Sequence, residues 1–485
     1  MTDKPIEYRI LALYRFIPLT TSLESLKEEL LTTLRKYEVK GTLLIAPEGI
    51  NGTVCYPYPP PSNLDKEGDN VDTKARSSDD NKVDDPVANY LKNHPIFGGS
   101  ELRTRLSIWK DEDDNTDDNK VDKEGKELIA KPQQAFHRLK IKIKEEIVTL
   151  GLGRPLVDRK PINNTDTDET DRQTYNEKSN PNKTKGQYLN PQQWDEACHN
   201  PNILVIDTRN TYEIDIGTFE SAINPNTENF SDFPKYLEKV ADEFDWDGEE
   251  NGNKKKEQQK DTVESDKKKK PPPEGIAMFC TGGIRCEKAT SYALQTNLFK
   301  DVPIYHLEGG ILGYLDDVAK RGEDKDDDKK EDGNIEGSES SSKKSKKSSS
   351  STFHGECFVF DKRVAVKEGL KPTSNYIQCH GCRGPMDHRL LSEASKDTTA
   401  ADVNINDDAS SEEVERYKQL AQGIANLPKL QYDSKTRSYY LPGLTCPRCH
   451  SSTTRDSLLR FAEREKQVEI CKSKGESLFK DNAGM

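Results

Sequence analysis

The chain has 485 residues and a formal net charge of −13, and 33% of its residues are charged against 32% hydrophobic. This length allows two to four domains, but the apolar fraction is too low for a chain that is buried core throughout. Ten cysteines are too few for a secreted disulfide scaffold, and no apolar run approaches the ~18 residues of a membrane helix. Because the N-terminus also carries no signal-peptide pattern, we expect a soluble cytoplasmic protein that does not bind membranes.

Six segments are rich in Asp, Lys, Asn and Ser and almost free of aromatic residues. They are residues 59–86, 110–131, 158–186, 247–274, 320–352 and 393–415. Such compositions cannot bury enough apolar surface to fold, so we predict disordered insertions and linkers. The segments 59–86, 110–131 and 393–415 together carry more net negative charge than the whole chain. The remainder is therefore near neutral or mildly basic, and a nucleic-acid partner is not excluded.

The N-terminal part alternates strand and helix patterns. Apolar residues alternate over Tyr8–Phe16, recur at helical spacing over Ser22–Tyr37, and alternate again at Gly41–Pro47 and Gly52–Tyr56. The later elements are a helix at Val87–Asn93 and strands at Leu102–Trp109 and Arg138–Val148. This order predicts an α+β sandwich of the ferredoxin-like kind, with one sheet and helices on one face.

The last of these strands has two different sides. Leu139, Ile141 and Ile143 would face the core, whereas the opposite side carries cations. The cations are Arg138, Lys140, Lys142 and Lys144. Four positive charges in register can follow an RNA phosphate backbone, but charge alternation also produces ordinary solvated strand faces. The residues alone leave both interpretations open.

Residues 187–321 alternate strands with helices again, which predicts a parallel sheet covered on both faces. The helices are Pro191–Cys198 and Phe233–Phe244, and the strands are Ile203–Asp207, Ile276–Phe279 and Ile304–His306. In such sheets ligands bind at the carboxyl ends of the strands. Asp207 and Arg209 lie at one such end, where they support either a pocket or a structural ion pair.

The most informative stretch begins at Cys280, where a buried strand gives way to a helix. The free N–H groups and positive dipole end of a helix favour an anion, so a sulfur there is stabilised as the nucleophilic thiolate. Gly282 and Gly283 allow backbone N–H groups to turn inwards, and Arg285 adds a positive charge at the rim. The whole candidate loop is Cys280, Thr281, Gly282, Gly283, Ile284, Arg285 and Cys286. The alternative is an inert buried cysteine beside a glycine turn.

Cys286 is a second sulfur six residues after Cys280. It can resolve a persulfide or sulfenate on Cys280 by forming a disulfide. It can equally be a buried residue of the first helical turn that points away. The pattern favours the second interpretation.

The C-terminal part carries two CxxC pairs, formed by Cys379, Cys382, Cys446 and Cys449. Two such pairs are typical of a tetrahedral structural zinc site. The gap between them is long for a zinc ribbon, but it includes the acidic segment 393–415. Reduced structural thiols and redox-active pairs are the alternatives, and His380 and His450 are reserve ligands.

Three further features bear on binding. The predicted helix Arg455–Cys471 carries Arg460, Arg464 and Lys466, so one of its faces can contact RNA. His354 and Glu356 are spaced like two ligands of an iron site, but no third histidine is suitably placed. The chain contains no flavin or nicotinamide fingerprint.

Seven strings lie largely outside the polar segments. They are CTGGIRCEKAT (280–290), IDTRNTYEIDIGTFESAINP (206–225), YHLEGGIL (305–312), YRFIPL (14–19), KGTLLIAPEGINGTV (40–54), RLKIKIKEEIVTLG (138–151) and GECFVFDKRVAV (355–366). At Cys280–Arg285 the chain resembles the rhodanese superfamily, and over all seven strings it resembles the rhodanese-domain tRNA uridine hydroxylases. The polar segments depart from the family pattern but interrupt none of these strings.

The resemblance implies an oxidoreductase that hydroxylates the wobble uridine of tRNA to 5-hydroxyuridine in an oxygen-dependent reaction, with Cys280 in the active site. It also implies that the N-terminal domain helps to bind tRNA, and that Glu213 pairs with Arg209. The residues by themselves fit another function equally, the transfer of sulfane sulfur as a Cys280 persulfide. A tRNA-binding module without catalysis is a third possibility.

The expected domain organisation follows these patterns. It comprises an N-terminal ferredoxin-like domain (1–157), a linker (158–186), a rhodanese domain (187–321), a disordered linker (322–352), a Cys-rich, zinc-ribbon-like domain (353–475) and a tail (476–485). The lysine runs Lys267–Lys270 and Lys343–Lys347 are typical of solvated linkers and, less often, of nuclear import signals. The sequence does not determine the number of subunits.

Overall fold

The computed structural model describes most of the chain outside the polar segments. The described residues are 7–59, 85–109, 135–152, 179–246, 269–327, 351–388, 415, 419, 430–433, 437–442 and 444–473. The predicted insertion 110–131, most of each other polar segment, the lysine run Lys343–Lys347 and the tail lie outside these residues. None of the helices within the described ranges combines the length and apolarity that a membrane crossing requires.

Within residues 7–59, 85–109 and 135–152, the first unit contains a five-stranded sheet and two α-helices. Its elements are β1 (Glu7–Phe16), α1 (Leu23–Lys36), β2 (Lys40–Ala46), β3 (Gly49–Tyr58), α2 (Pro86–Lys92), β4 (Arg103–Trp109) and β5 (Leu139–Ile143). The strand order is β4-β1-β3-β2-β5, in which β5 pairs with β2 in parallel and all other neighbours are antiparallel. The sequence therefore predicts the order and type of these elements, although the last strand is shorter than expected and ends at Ile143.

Both faces of this sheet are covered. Leu11 and Leu13 of β1 pack with the buried face of α1, whose N-terminus is capped by Ser22. Tyr14 and Phe16 of the same strand lie in a second cluster, on the other side of the sheet. Side chains alternate along a strand, so burial on both sides shows that β1 lies between two layers. This second side contacts the next unit of the protein.

The second unit contains a parallel sheet. Its elements are β6 (Gln187–Leu189), α3 (Pro191–His199), β7 (Ile203–Asp207), α4 (Thr211–Ile214), β8 (Gly217–Phe219), α5 (Phe233–Asp242), β9 (Gly275–Phe279), α6 (Ile284–Gln295), β10 (Ile304–Leu307) and α7 (Gly310–Asp327). The parallel strands have the order β6-β10-β9-β7. Helix α7 continues to Asp327, six residues into the segment that the sequence assigns to a disordered linker.

Strand β9 is buried along its whole length, as the sequence predicts. Ile276 and Met278 pack with α5 and α6 in one core, whereas Ala277 and Phe279 pack with α3 and α7 in another. Alternate residues of one strand thus contribute to opposite cores. The predicted sheet with helices on both faces is observed, and it fixes the end of β9 between two packed layers.

Within residues 351–388, 430–433, 437–442 and 444–473, the C-terminal part contains short strands and two α-helices. They are β11 (Phe353–Gly355), β12 (Cys357–Phe358), β13 (Ala365–Val366), β14 (Tyr376–Gln378), β15 (Pro385–Asp387), β16 (Gln431–Asp433), β17 (Ser438–Tyr440), α8 (Pro447–His450) and α9 (Arg455–Ser473). Strand β11 pairs with β8, and Phe353, Cys357 and Val366 belong to the core of the parallel-sheet unit. The start of the segment that the sequence assigns to a Cys-rich domain therefore shares a core with the preceding unit.

Candidate active site at the Cys280 loop

Cys280 follows β9, an interior strand of the parallel sheet. The backbone N–H of Gly283 donates a hydrogen bond to Cys280 Sγ at 3.1 Å. Helix α6 begins at Ile284 with Gly283 as its N-cap residue. The sulfur therefore lies at the positive end of a helix and contacts a loop amide, as the strand-to-helix pattern predicts.

Two glycines are required by the shape of this loop. Gly283 has φ +101°, and a Cβ there would lie 2.8 Å from Tyr14 Oη. Gly310, at the start of α7, has φ +61°, and its Cβ would lie 2.6 Å from the carbonyl oxygen of Cys280. A side chain at either position would meet both an unfavourable backbone conformation and a collision.

Helix α7 fixes the loop from the other side. The N–H of Ile311 donates to Cys280 O at 2.9 Å, and the N–H of Leu312 donates to Thr281 O at 3.0 Å. These are free amides of the first helical turn, which commonly bind such acceptors. Among the described residues other than 281–283, none has a heavy atom within 4 Å of the position that a Gly282 Cβ would occupy, so the loop is open at Gly282.

Arg285 occupies a different environment from the one expected. The sequence predicts a cation at the rim, but Arg285 is 8% exposed and forms two hydrogen bonds with Glu213, at 2.6 and 2.7 Å. Burial raises the pKa of Glu213, but Arg285, followed by the charge of Arg209 and the backbone amide of Asn210, more than offsets this effect, and the net pKa is lowered. Both side chains are thus charged, and their opposite charges largely cancel within the protein. Arg285 also lies 3.2 Å from Thr281 Oγ1, which fixes the loop.

Asp207 and Arg209 form a fully buried ion pair at 2.7 Å, and neither lines the cavity described below. Of the two interpretations of these residues, their contacts support the structural ion pair. Arg209 Nη1 donates to the main-chain oxygen of Glu213 at 3.3 Å. The expected side-chain pairing of Glu213 with Arg209 is wrong, because the Glu213 carboxylate pairs with Arg285 instead.

The Cys280 thiol has an unusual ionisation equilibrium. Burial alone raises its pKa, but a hydrogen bond from Cys286, the positive charge of Arg285 and the amides of Cys286 and Gly283 together lower the pKa to about 6. Near neutral pH the thiolate is therefore the major form. This is the form that acts as a nucleophile.

Cys286 does not point away from the loop, and the interpretation that the sequence favours is wrong here. Its Sγ, in the first turn of α6, lies 3.7 Å from Cys280 Sγ. The Gly283 carbonyl, 2.9 Å from Cys286 Sγ, is an alternative acceptor for the single proton of this thiol. Burial and the neighbouring Cys280 raise the pKa of Cys286 well above its ordinary value, so one sulfur is a thiolate and the other a thiol.

A cavity of about 660 Å³ lies over the loop, between the two sheets. The first sheet contributes Tyr14, Asn51, Thr53, Arg103 and Arg105 to its walls, and the second unit contributes Cys280, Thr281, Gly282, Ile284, Arg285 and Glu308. Cys280 has no solvent-exposed surface of its own, although it lines this cavity. Gly282 and Ile284 are partly exposed beside it.

Two sets of buried polar contacts join the walls of the cavity. Glu287 of α6 accepts hydrogen bonds from Tyr14 at 2.7 Å and from Tyr188 at 2.6 Å. The next residue, Lys288, is 1% exposed and forms ion pairs with Glu48 and with Glu146 of the first unit. Buried charges are tolerated when they are paired in this way. These contacts fix the first sheet against the Cys280 loop.

Three aromatic residues of the cavity are not indicated by any sequence pattern. Tyr14 and Tyr188 line it from opposite units, and Phe360, whose side chain is 60% exposed, lies at its edge. Arg103 lies over the ring of Tyr188, with its Cζ atom 4.7 Å from the ring centroid. Tyr14 and Phe360 both fall in the seven strings, but no local pattern indicates that such distant segments meet.

The predicted cationic strand lies on the cavity side of the first sheet. Lys140 and Lys142 pair in register with Thr42 and Leu44 of β2. Residues side by side in neighbouring strands point to the same face, and Leu44 lines the cavity. Arg138, Lys142 and Lys144 are exposed, and Lys140 is half-buried.

Cations from other segments lie close to this strand. Burial lowers the pKa of Lys140, and the charges of Arg138, Lys142 and Arg464 lower it further. Burial and surrounding cations, first Lys362 and then Arg464, lower the pKa of His137 to about 4. We define the β5 cationic surface as Lys40, Arg138, Lys140, Lys142, Lys144, Lys362 and Arg464. Arg464, on the predicted RNA-contacting helix, belongs to it, whereas no sequence pattern indicates Lys362.

The four cysteines of the CxxC pairs come together, although 64 residues separate Cys382 from Cys446. Their sulfur atoms all lie within 4.8 Å of one another, and three of the pairs are separated by 3.6 to 3.8 Å. Four thiolates around one zinc ion at about 2.3 Å lie about 3.8 Å apart, so the arrangement fits tetrahedral zinc. Arg448 Nη2 donates to Cys382 Sγ at 2.9 Å, which offsets the negative charge of such a cluster.

The reserve ligands and the possible iron site do not form a metal cluster. Within the part of the chain that the structure describes, the group suited to a metal ion is the four cysteines, and it includes neither His380 nor His450. Glu356 instead accepts hydrogen bonds from Thr373 and Asn375. His354 lies 3.8 Å from Glu220.

Comparison with known proteins gives a consistent result. Residues 8–147 match a family model described as UPF0176 acylphosphatase like domain. A protein of Teredinibacter turnerae named tRNA uridine(34) hydroxylase is 32% identical over 477 residues, which cover 98% of this chain and 94% of that protein. A solved Rhodopseudomonas palustris protein of unknown function, a possible tyrosine phosphatase, aligns over 32% of this chain and 94% of its own at 13% identity. Its TM-score of 0.18 is too low to support any argument.

We expect the Cys280 thiol to titrate with a midpoint of about pH 6, well below the ordinary value of 9. The thiolate absorbance of the protein, minus that of the Cys280→Ser variant, measures this midpoint. Replacing Cys286 by Ala should raise it, because the hydrogen bond from Cys286 is the strongest stabilising contact of the thiolate. The matched Cys198→Ala variant, at a buried cysteine in α3, should leave it unchanged. A midpoint near 9 in the unmodified protein would contradict the assignment.

We expect the purified protein to contain about one zinc ion per chain, as a closed four-thiolate site does. Elemental analysis by mass spectrometry measures this content. Cys382→Ser should lose most of the metal and Cys198→Ser should retain it. Protein that is purified gently without chelators and contains no metal would rule out a resident zinc ion.

Proposed function

The chain belongs to the tRNA uridine(34) hydroxylase family of enzymes, and we propose that it hydroxylates the wobble uridine of tRNA to 5-hydroxyuridine with Cys280 as its catalytic residue. The observation that carries this proposal is a cysteine with a pKa of about 6 in the wall of a cavity between two sheets. We propose that the reaction consumes dioxygen. The Cys280 loop has the strand-to-helix position of a rhodanese active site, which supports a rhodanese-type domain over residues 187–321.

The cavity suits a single unstacked base. Its volume of about 660 Å³ lies within the range of about 300–1,000 Å³ that ligand pockets occupy. Tyr14, Tyr188 and the exposed ring of Phe360 offer flat apolar faces on which a base can stack. Enzymes that modify a base remove it from its stack, and a wobble base in an anticodon loop is accessible without unpairing a helix.

Charge supports an approach of tRNA from one side. The β5 cationic surface lies on the cavity face of the first sheet, and cations in such a row bind successive phosphates. In the proposed complex the backbone of the anticodon stem or loop follows this surface while the base of uridine 34 enters the cavity. The acidic net charge of the chain does not oppose this arrangement, because much of it lies in the polar segments.

Cys280 acts as the nucleophile in the proposed reaction. Its thiolate adds to C6 of the uracil ring, and the electron pair of the C5–C6 double bond moves to C5, the carbon that is hydroxylated. Gly283 N–H and Arg285 keep the sulfur anionic before it adds. The Arg285–Glu213 pair and the amides of α7 keep the loop in one conformation, so that little reorganisation accompanies the reaction.

A second candidate function is the transfer of sulfane sulfur as a Cys280 persulfide. The open space at Gly282 and the amide of Gly283 favour it, because they leave room for a second sulfur and a donor for its charge. We place it second because the chain matches the tRNA uridine(34) hydroxylase of T. turnerae along nearly its whole length.

The other units have supporting roles in this proposal. The first unit forms half of the cavity and part of the tRNA surface, and the four-cysteine cluster binds zinc to stabilise the C-terminal part. The cluster connects to the active site through Arg448, which lies over the ring of Tyr212 in α4 at 4.4 Å, beside Glu213. Such an enzyme would act on tRNA in the cytoplasm.

Replacing Cys280 by Ser should abolish 5-hydroxyuridine at the wobble position, because an alcohol at this site is not ionised and does not add to C6. The effect is measured by mass spectrometry of tRNA nucleosides. The samples come from cells that lack the protein and from the same cells carrying either the unmodified gene or this variant. The unmodified protein should restore 5-hydroxyuridine, and Cys198→Ser should restore it equally. Loss of 2-thiouridine with unaltered 5-hydroxyuridine would identify sulfur transfer instead.

Charge reversal of Lys140, Lys142 and Lys144 to Glu should weaken tRNA binding. It should also reduce the slope of log Kd against the logarithm of the salt concentration by about two to three, about one for each phosphate that the variant no longer neutralises. Filter binding over a range of salt concentrations measures both quantities. The same reversal at the exposed Lys235 and Lys239 of α5 changes the charge by −4 instead of −6, on another surface, and should have a small effect. Equal weakening by both variants would show that the β5 cationic surface has no specific role.

A further inference from the structure

The two sulfurs of the candidate active site form a reduced dithiol. Cys280 Sγ and Cys286 Sγ lie 3.7 Å apart, at the end of β9 and in the first turn of α6. Both are among the free cysteines of the structure and both are fully buried. A disulfide requires the two sulfurs to approach from 3.7 Å to about 2 Å.

The positions of the two sulfurs are not equivalent. Cys280 lines the cavity, whereas Cys286 lies behind it and reaches the cavity through Cys280. Cys286 is the protonated partner, and both Cys280 Sγ and the Gly283 carbonyl are acceptors for its proton. This is the arrangement of a reactive thiolate with a resolving thiol, in which only the first meets the substrate.

The proposed hydroxylation requires two electrons in addition to dioxygen. One oxygen atom enters the C5–H bond of uridine, and the other leaves as water after it receives two electrons and two protons. Oxidation of two thiols to one disulfide releases two electrons and two protons. The cysteine pair can therefore supply as many electrons and protons as the reaction requires.

We propose that Cys280 and Cys286 supply the two electrons of the hydroxylation and finish each turnover as a disulfide. This inference rests on the proposed function. The overall balance is uridine, dioxygen and two thiols on one side, and 5-hydroxyuridine, water and one disulfide on the other. An external dithiol then reduces the disulfide and becomes oxidised itself.

Each step has a defined electron flow. After Cys280 Sγ adds to C6, C5 bonds to dioxygen and the distal oxygen takes a proton, which gives a C5 hydroperoxide. The C6–S bond then breaks as C5 loses its proton, and the freed Cys280 thiolate attacks the distal oxygen. The O–O bond breaks, leaving 5-hydroxyuridine and a Cys280 sulfenic acid. The Cys286 sulfur then attacks the Cys280 sulfur, which forms the disulfide and expels hydroxide. The hydroxide takes the proton of Cys286 and leaves as water.

The test uses full-length protein that is reduced without oxygen and then freed of reductant. Mixed with unmodified tRNA in air-saturated buffer, it should form about one 5-hydroxyuridine and about one Cys280–Cys286 disulfide per chain and then stop. Nucleoside and peptide mass spectrometry measure the two products. Addition of dithiothreitol should restore continuous turnover. Protein without tRNA, kept in the same buffer, should form the disulfide much more slowly.

Variants separate the two thiols. Cys286→Ser should leave Cys280 as a sulfenic acid that dimedone traps, and Cys198→Ala should behave like the unmodified protein. Product formed while both thiols stay free, or several turnovers without reductant, would overturn the inference and leave the proposed function intact. Absence of 5-hydroxyuridine even with dithiothreitol and oxygen present would overturn the proposed function itself. The measurement on the unmodified protein does not depend on whether a variant folds.

Discussion

Four consecutive buried side chains in the first turn of α6 bind the Cys280 loop and the two sheets together. They are Arg285, Cys286, Glu287 and Lys288, and each turns toward a different partner. Arg285 pairs with Glu213 inside the second unit, and Cys286 contacts the Cys280 sulfur. Glu287 and Lys288 contact the first unit through a tyrosine and two glutamates. Removal of one partner from a buried ion pair typically costs about 3–5 kcal/mol, so this turn keeps the cavity in one arrangement.

The same turn explains how a buried sulfur remains ionised. A charge without solvent is costly, and burial is the largest single effect on the Cys280 pKa. Hydrogen bonds from Cys286 and from loop amides, together with the positive charge of Arg285, more than offset that effect. Because Glu213 balances Arg285, the site holds a thiolate without an excess positive charge that would bind anions indiscriminately. In the proposed function, specificity for tRNA then arises from the β5 cationic surface and the aromatic residues of the cavity.

Much of the local structure could be predicted from sequence, because it depends on neighbouring residues. The alternation of Leu139, Ile141 and Ile143 with lysines predicts both the strand and its cationic side, and the apolar run before Cys280 predicts a buried strand. The burial of Arg285 and the cavity could not be predicted in this way. They depend on Glu213, Tyr14 and Phe360, which are distant in the chain and meet only when the sheets pack. The domain boundaries stay predictions, although the pairing of β11 with β8 shows how closely the C-terminal part joins the second unit.

The central claim is that the base of uridine 34 enters the cavity between the two sheets and meets Cys280. The most direct test is a photocrosslink from tRNA that carries 4-thiouridine only at the wobble position, with the attached peptide identified by mass spectrometry. The account predicts crosslinks to residues that line the cavity, such as those of the Cys280 loop, Tyr188 or Phe360. Crosslinks confined to surfaces away from the cavity, with full retention of tRNA binding, would contradict it.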